Sequence, residues 1–156
     1  MARKQIGTDY LVFANTGTSG AKVWKALMCQ TTVTGNFPTS IIDASSKCGK
    51  DSMVEPDIES YDLEGQLLQK DATDTNRLTA YEIHDMRKDA ITNGVPIEFK
   101  LAPKGAAAAD NGKIIYEFDA YISNISDTFD NGEVATQSLS LQVVGETTFT
   151  EYVHTT

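Results

Sequence analysis

The sequence predicts a mainly β protein, an antiparallel β-sandwich or barrel with one flanking α-helix. Hydrophobic residues recur at every second position over most of the chain, which is typical of strands that bury one face. The segment 79–92 breaks that period. A length of 156 residues suits one hydrophobic core. We therefore expect a single domain over residues 1–156.

In the first half of the chain, short strands alternate with polar turns. Residues 9–15 form an apolar run that ends in the glycine-containing turn 15–20. Residues 23–37 contain the β-branched residues of one long strand or two. Residues 43–57 are polar and without periodicity, so they predict a long exposed loop. Residues 58–65 alternate again, and the polar face of this strand carries carboxylates.

The segment 79–92 carries the signals of a helix at both ends. Thr79 and Glu82 have the spacing of a capping box, in which side chains satisfy the free amide groups of the first turn. Gly94 is suited to the left-handed conformation that ends many helices. The sequence therefore predicts one helix here, followed by a strand over residues 96–101.

The last third of the chain predicts the best-defined hairpin. Residues 114–123 and 133–144 alternate between apolar and polar side chains, and the turn Asp130-Asn131-Gly132 joins them. The C-terminal residues that follow, with His154 among them, predict a flexible tail.

The charge balance and the scarcity of reactive side chains exclude several functions. The formal net charge of -9 repels phosphate backbones, which excludes nucleic-acid binding through a basic patch. Cys29 and Cys48 lack the spacing of a zinc site, and His84 and His154 have no partner in a catalytic pattern. No apolar run approaches the roughly 18 residues of a membrane span. We predict no enzyme activity, no metal, no cofactor and no membrane anchor.

The single tryptophan leaves a second interpretation open. Trp24 lies near the start of a predicted strand, where an indole can stack on a sugar ring or pack in a core or interface. A non-enzymatic β-sandwich that recognises a carbohydrate or a cell surface is the alternative function.

The whole layout resembles the major tail proteins, or tail tube proteins, of phages with long non-contractile tails. The resemblance rests on the order of elements and on the piece Asp43-x-Ser-x-Lys47 at the start of the long loop. The other matching segments are the opening strand 7–14, the strand 58–65, the helix 79–92, the segment 94–99 and the closing strand that ends in 139–145.

The resemblance implies a structural role in a virion. Proteins of that family form hexameric rings that stack into a hollow tube for DNA passage during ejection, and they share their fold with the tube proteins of contractile tails and secretion systems. By this resemblance the chain is a component of the phage tail, assembled in the host cytoplasm. Its partners are further copies of itself, the tail tip, tape-measure and tail terminator proteins, and DNA as non-specific cargo.

Two sites follow as hypotheses. DNA carries one charge per about 1.7 Å, so an acidic channel wall would keep it from sticking. We expect the lining to include Glu59, Asp62, Glu64, Glu117 and Asp119. The long loop is polar and carries lysines in a net acidic chain, so it predicts a contact between rings. The candidate residues of this contact are Ser46, Lys47, Lys50 and Asp51.

Overall fold

A computed structural model describes residues 7, 10–46, 48–105 and 110–154. In this part of the chain, eleven strands and one α-helix follow one another. The elements are β1 (Tyr10–Asn15), β2 (Trp24–Leu27), β3 (Cys29–Asn36), β4 (Thr39–Asp43), β5 (Ser52–Pro56), β6 (Ser60–Gln66), β7 (Arg77–Leu78), α1 (Ala80–Asn93), β8 (Ile97–Pro103), β9 (Ile114–Thr128), β10 (Thr136–Val143) and β11 (Thr148–Glu151).

Nine of these strands form one sheet in the order β3-β6-β10-β9-β8-β1-β2-β7, with β11 added to β9. Neighbouring strands are antiparallel except for β2 and β7, which are parallel. The chain passes from β2 directly into β3 through Met28, so the two ends of the sheet meet. There the side-chain amide of Gln30 forms two hydrogen bonds with the backbone of Val12. It accepts one from the Val12 N–H at 2.9 Å and donates one to the Val12 C=O at 2.8 Å. The sheet therefore curls on itself, as the fold class predicts.

The core lies inside this curled sheet, with α1 against its flank. The strands β1, β6, β9 and β10 contribute alternate side chains to the core, because successive residues of a strand point to opposite faces. Ile83 is the residue that α1 contributes to the central cluster. The buried cluster consists of Val12, Ala14, Leu27, Met28, Tyr61, Leu63, Leu78, Ile83, Phe99, Leu101, Phe118, Ala120, Ile122, Leu139, Leu141 and Val143.

The ends of α1 are those that the sequence predicts. The hydroxyl of Thr79 accepts a hydrogen bond from the backbone N–H of Glu82 at 3.4 Å and donates one to its carboxylate at 3.1 Å. Gly94 follows the helix with a φ of 65°. The helix is also bound to the sheet, since His84 Nε2 lies 2.7 Å from Asp127 Oδ2.

The segment 43–57 is exposed, as expected, but it is more regular than the predicted loop. Residues Ser52–Pro56 form β5, which pairs with β4 in a separate two-stranded sheet. The ladder continues beyond Asp43, because Ala44 N–H donates to Asp51 C=O at 2.9 Å. The hairpin gives no hydrophobic period because neither of its faces is buried in the chain.

Residues near the C-terminus, before the predicted flexible tail, are paired with the sheet. Residues Thr148–Glu151 form β11, which pairs with the beginning of β9. Further along, the backbone N–H of Tyr152 donates to the C=O of Lys113 at 2.8 Å. Backbone pairing therefore orders this segment, although its side chains are mostly exposed.

Candidate functional site

Four of the predicted lining residues lie on one face of the large sheet. Asp62 and Glu64 are exposed on β6, between the buried Tyr61, Leu63 and Gly65. Glu117 and Asp119 are exposed on β9 and alternate with buried residues in the same way. The strand registers place all four carboxylates on the side that points away from the core. We call the set Asp62, Glu64, Glu117 and Asp119 the acidic face.

Two members of the acidic face, Asp62 and Asp119, have distinct surroundings. Asp62 accepts a hydrogen bond from Ser140 Oγ at 3.0 Å and another from Asn36 Nδ2 at 3.3 Å, which come from the strands on either side. The pKa of Asp119 is raised by partial burial and, to a lesser degree, by the nearby carboxylate of Glu98. The acidic face therefore combines the hydrogen-bonded Asp62 on β6 with Asp119 on β9, which lies near a further carboxylate, Glu98.

Glu59 does not belong to the acidic face. It has the same strand parity as Tyr61, so it points to the inner side of the sheet, and only 7% of it is exposed. Its carboxylate accepts a hydrogen bond from the backbone N–H of Thr147 at 2.7 Å. Because a buried polar group needs a partner, this contact gives Glu59 a structural role in joining β6 to the loop before β11. Glu59 is therefore too deeply buried for the lining position expected of it.

Sequence reasoning missed a cation on the same side of the sheet. Lys100 is the direct cross-strand partner of Glu117, and its Nζ lies 4.7 Å from the ring centre of Trp24 and 5.6 Å from that of Phe13. Burial lowers the pKa of Lys100. The alternation of β8 around the buried Phe99 could have indicated its outward position. The ammonium contacts the half-buried indole, so nothing in this geometry favours a sugar site at Trp24.

The second candidate site is the β4–β5 hairpin, residues 38–57, which we call the arm. At its base, Asp57 N–H donates to Pro38 C=O at 3.0 Å. At its tip, Ser46 N–H donates to Gly49 C=O at 2.8 Å. With about 3.4 Å per residue, the ladder between these bonds extends roughly 25 Å.

Both faces of the arm carry exposed apolar side chains. Ile41 and Val54 face each other across the ladder and are 73% and 65% exposed. Ile42 and Met53 form the neighbouring pair, which points to the opposite face, and are 45% and 52% exposed. An isolated two-stranded hairpin is at best marginally stable in water. The arm therefore has the composition of a segment that a partner covers.

The predicted contact residues lie at the tip of the arm, where the structure describes three of the four. Ser46, Lys50 and Asp51 are exposed there, whereas Lys47 lies outside the described residues. Asp51 contributes backbone pairing, because its C=O accepts the bond from Ala44.

The described residues contain no group of three or more His, Cys, Asp or Glu side chains arranged to bind a metal ion. Cys29 and Cys48 are both free thiols; Cys29 is half-buried and Cys48 is exposed at the tip of the arm. Among the helices of the described chain, none is long and apolar enough to cross a membrane.

Comparison with known proteins identifies the fold. No protein-family model matches the sequence, and no curated protein matches it either. Among solved structures, a tail subunit of an empty gene transfer agent particle, refined with C6 symmetry, has a TM-score of 0.62 at 16% identity, with 94% of this chain and 99% of that chain covered. The SPP1 tail tube has a TM-score of 0.62 at 16% identity, with 95% and 80% covered.

A contractile machine carries a similar chain. In the PVC sheath-tube complex of an extracellular contractile injection system, the TM-score is 0.62 at 11% identity, with 94% of this chain and 91% of that chain covered. These matches cover at least 94% of this chain and 80% or more of each of the other chains. The chain therefore has the fold of tail tube proteins, as the resemblance in the sequence predicts.

Proposed function

We propose that this protein is a tail tube subunit whose copies close into hexameric rings, and that the rings stack into a hollow tube through which DNA passes. The observation that carries the proposal is the match of the fold, over at least 94% of this chain, with the SPP1 tail tube and with the tail of a gene transfer agent. The C6 symmetry of the gene transfer agent tail favours six subunits per ring. The tail of a virion is then its location, and tail tip, tape-measure and terminator proteins are its partners.

The exposed apolar surface of the arm also favours assembly. Its four large apolar side chains are nearly half to three-quarters exposed. Burial of apolar surface contributes about 25 cal/mol per Å², so a neighbouring copy that covers both faces would stabilise the arm and the contact together. We infer that the arm, including Ser46, Lys47, Lys50 and Asp51, makes the contact from ring to ring.

The acidic face supports passage of a polyanion. Charges repel DNA strongly only within about one Debye length, roughly 8 Å at physiological salt, so the residues that matter are those on the channel wall. We propose that Asp62, Glu64, Glu117 and Asp119 contribute to this wall, with Glu59 removed from the set. A structural role of this kind requires no catalytic residue and no cofactor.

Negative-stain microscopy of the purified protein and of one arm variant tests the proposal. The wild type should give rings or tubes. The variant with Ile41→Thr and Val54→Thr keeps β-branched side chains but loses most of one apolar face, so it should fold and form few or no long tubes. Glu55→Gln, an exposed change in the same hairpin, is the matched control and should assemble like the wild type.

Two results would contradict this function. A wild-type protein that stays a small oligomer at all concentrations, with or without a nucleating tail tip, would favour the binding-module alternative. Tubes of normal length from the Ile41→Thr, Val54→Thr variant would show that this apolar face makes no contact between rings.

A further inference from the structure

The arm and the β9–β10 turn lie at opposite ends of the same strands. The arm leaves the sheet where β6 begins and β10 ends, because Val143 N–H donates to Glu59 C=O at 3.0 Å. The turn that joins β9 to β10 lies where β6 ends, since Leu67 N–H donates to Ala135 C=O at 3.0 Å. With about 3.3 Å per residue, the seven residues of β6 separate the two ends by roughly 20 Å.

The turn at the far end carries exposed apolar side chains of its own. Phe129 and Val134 flank it and are 75% and 62% exposed. Tyr81, in the first turn of α1, is 78% exposed and belongs to the same end, because Ala80 N–H donates to Leu68 C=O at 3.0 Å. Three large apolar side chains therefore lie uncovered at the end opposite the arm.

The two ends also differ in charge. The segment 127–134 contains the carboxylates of Asp127, Asp130 and Glu133 and no lysine or arginine. The tip of the arm carries the exposed Lys50 beside the exposed Cys48. The turn opposite the arm is thus apolar and acidic. The arm carries two cross-strand apolar pairs on its ladder, and the sequence of its tip has two lysines, Lys47 and Lys50, against the single carboxylate of Asp51. Complementary charges of this kind set the register of a contact.

We propose that the turn from Phe129 to Val134, together with Tyr81, is the surface that receives the arm of a second copy stacked on it. This rests on the proposed function, in which the arm joins one ring to the next, and adds which surface of the next ring it joins. The contact is head-to-tail: one copy gives its arm to a second, whose own arm goes to a third. Such a heterologous contact propagates without closing, which is the geometry of a stack.

Site-directed cross-linking tests the pairing, because the arm already contains a thiol at its tip. In a Cys29→Ser background, Asn131→Cys places a second thiol in the turn, at an exposed residue. Mild oxidation, or a short bismaleimide, should link Cys48 of one copy to the new thiol of the next. A denaturing gel should then show a ladder of dimers, trimers and longer chains. Removing the arm thiol with Cys48→Ser should abolish the ladder.

The matched control is Glu146→Cys in the same Cys29→Ser background. Glu146 is exposed, but it follows β10 at the end of the sheet from which the arm leaves. This control should give little or no ladder under the same conditions. Negative-stain images of each sample before cross-linking record whether tubes are present.

The outcomes separate the inference from the function on which it rests. Tubes that ladder no faster with Asn131→Cys than with Glu146→Cys would overturn the pairing and leave the tube function standing. Dimers that form through Cys48 alone would show that two arms contact each other, which would also overturn the proposed pairing of the arm with the turn. A protein that forms neither rings nor tubes would overturn the proposed function, and this inference with it.

Discussion

Asp119 shows how the acidic face affects the stability of a single subunit. Partial burial and the neighbouring Glu98 raise the pKa of Asp119, so the folded state binds this proton more readily than the unfolded state. The stability that its protonation provides is lost as the pH rises through the folded pKa. At neutral pH the ionised Asp119 therefore works against folding of the isolated subunit.

We expect Asp119→Asn to raise the melting temperature of the unassembled chain at pH 7, by on the order of 1 °C because the site is exposed. The difference should vanish below about pH 3, where aspartate is protonated in both states. Glu98→Gln is the control with the opposite sign. The pKa of Glu98 is lowered, chiefly by a hydrogen bond from Asn15, so its loss should destabilise at pH 7. A pH-independent effect of Asp119→Asn would contradict this account.

Among the elements, the contact of β6 with the junction of β2 and β3 leaves no room for a side chain. A Cβ added at Gly65 would lie 2.6 Å from the C=O oxygen of Cys29 and 2.9 Å from Met28 Sδ. Met28 itself has a φ of 36°, in the left-handed region that non-glycine residues rarely adopt. The chain turns here from one end of the curled sheet to the other, so Gly65 permits the sheet to close.

We therefore expect Gly65→Ala to lower the free energy of unfolding by about 1–3 kcal/mol, because backbone atoms must move to accept the methyl group. The measurement is urea denaturation of the unassembled chain. Gly20→Ala is the matched control, since a Cβ there meets nothing within 4 Å. Equal denaturation midpoints for the two variants would show that the strands have more freedom at this junction than the structure indicates.

For the whole molecule, the proposed function makes the sign of the charge on the channel wall the property to test. Asp62→Lys with Glu64→Lys reverses two neighbouring carboxylates of the acidic face, while Asp85→Lys with Asp89→Lys makes the same change in net charge on exposed positions of α1. When a short labelled DNA duplex is added to tubes of the first variant, the tubes should bind it inside the channel. The bound duplex should be protected from nuclease and should be released at high salt.

The wild type and the α1 control should show no protected duplex, because duplex bound outside a tube remains open to nuclease. Protection in neither variant, with tubes present in both, would place Asp62 and Glu64 away from the channel wall. A solved tube with a basic wall would also contradict the proposal.

Local patterns in the sequence determined the elements that stabilise themselves or bury one clear face. Thr79, Glu82 and Gly94 fix α1, because capping depends on residues within one turn of each end. The β9–β10 hairpin follows from strict alternation and from a turn at Asn131-Gly132, where Gly132 has a φ of 80°. The alternation of β6 likewise determined the outward positions of Asp62 and Glu64.

Tertiary structure decided what depends on distant parts of the chain. The inner face of β6 extends to Glu59, which the backbone of Thr147 satisfies from 88 residues away. The last strand, β11, and the arm show no hydrophobic period, because neither of them buries one face in the core of the chain. Lys100 became part of the outer face only when β1, β2 and β9 assembled beside β8. Periodicity reports which side of a strand is buried, whereas only the folded sheet determines which distant groups meet there.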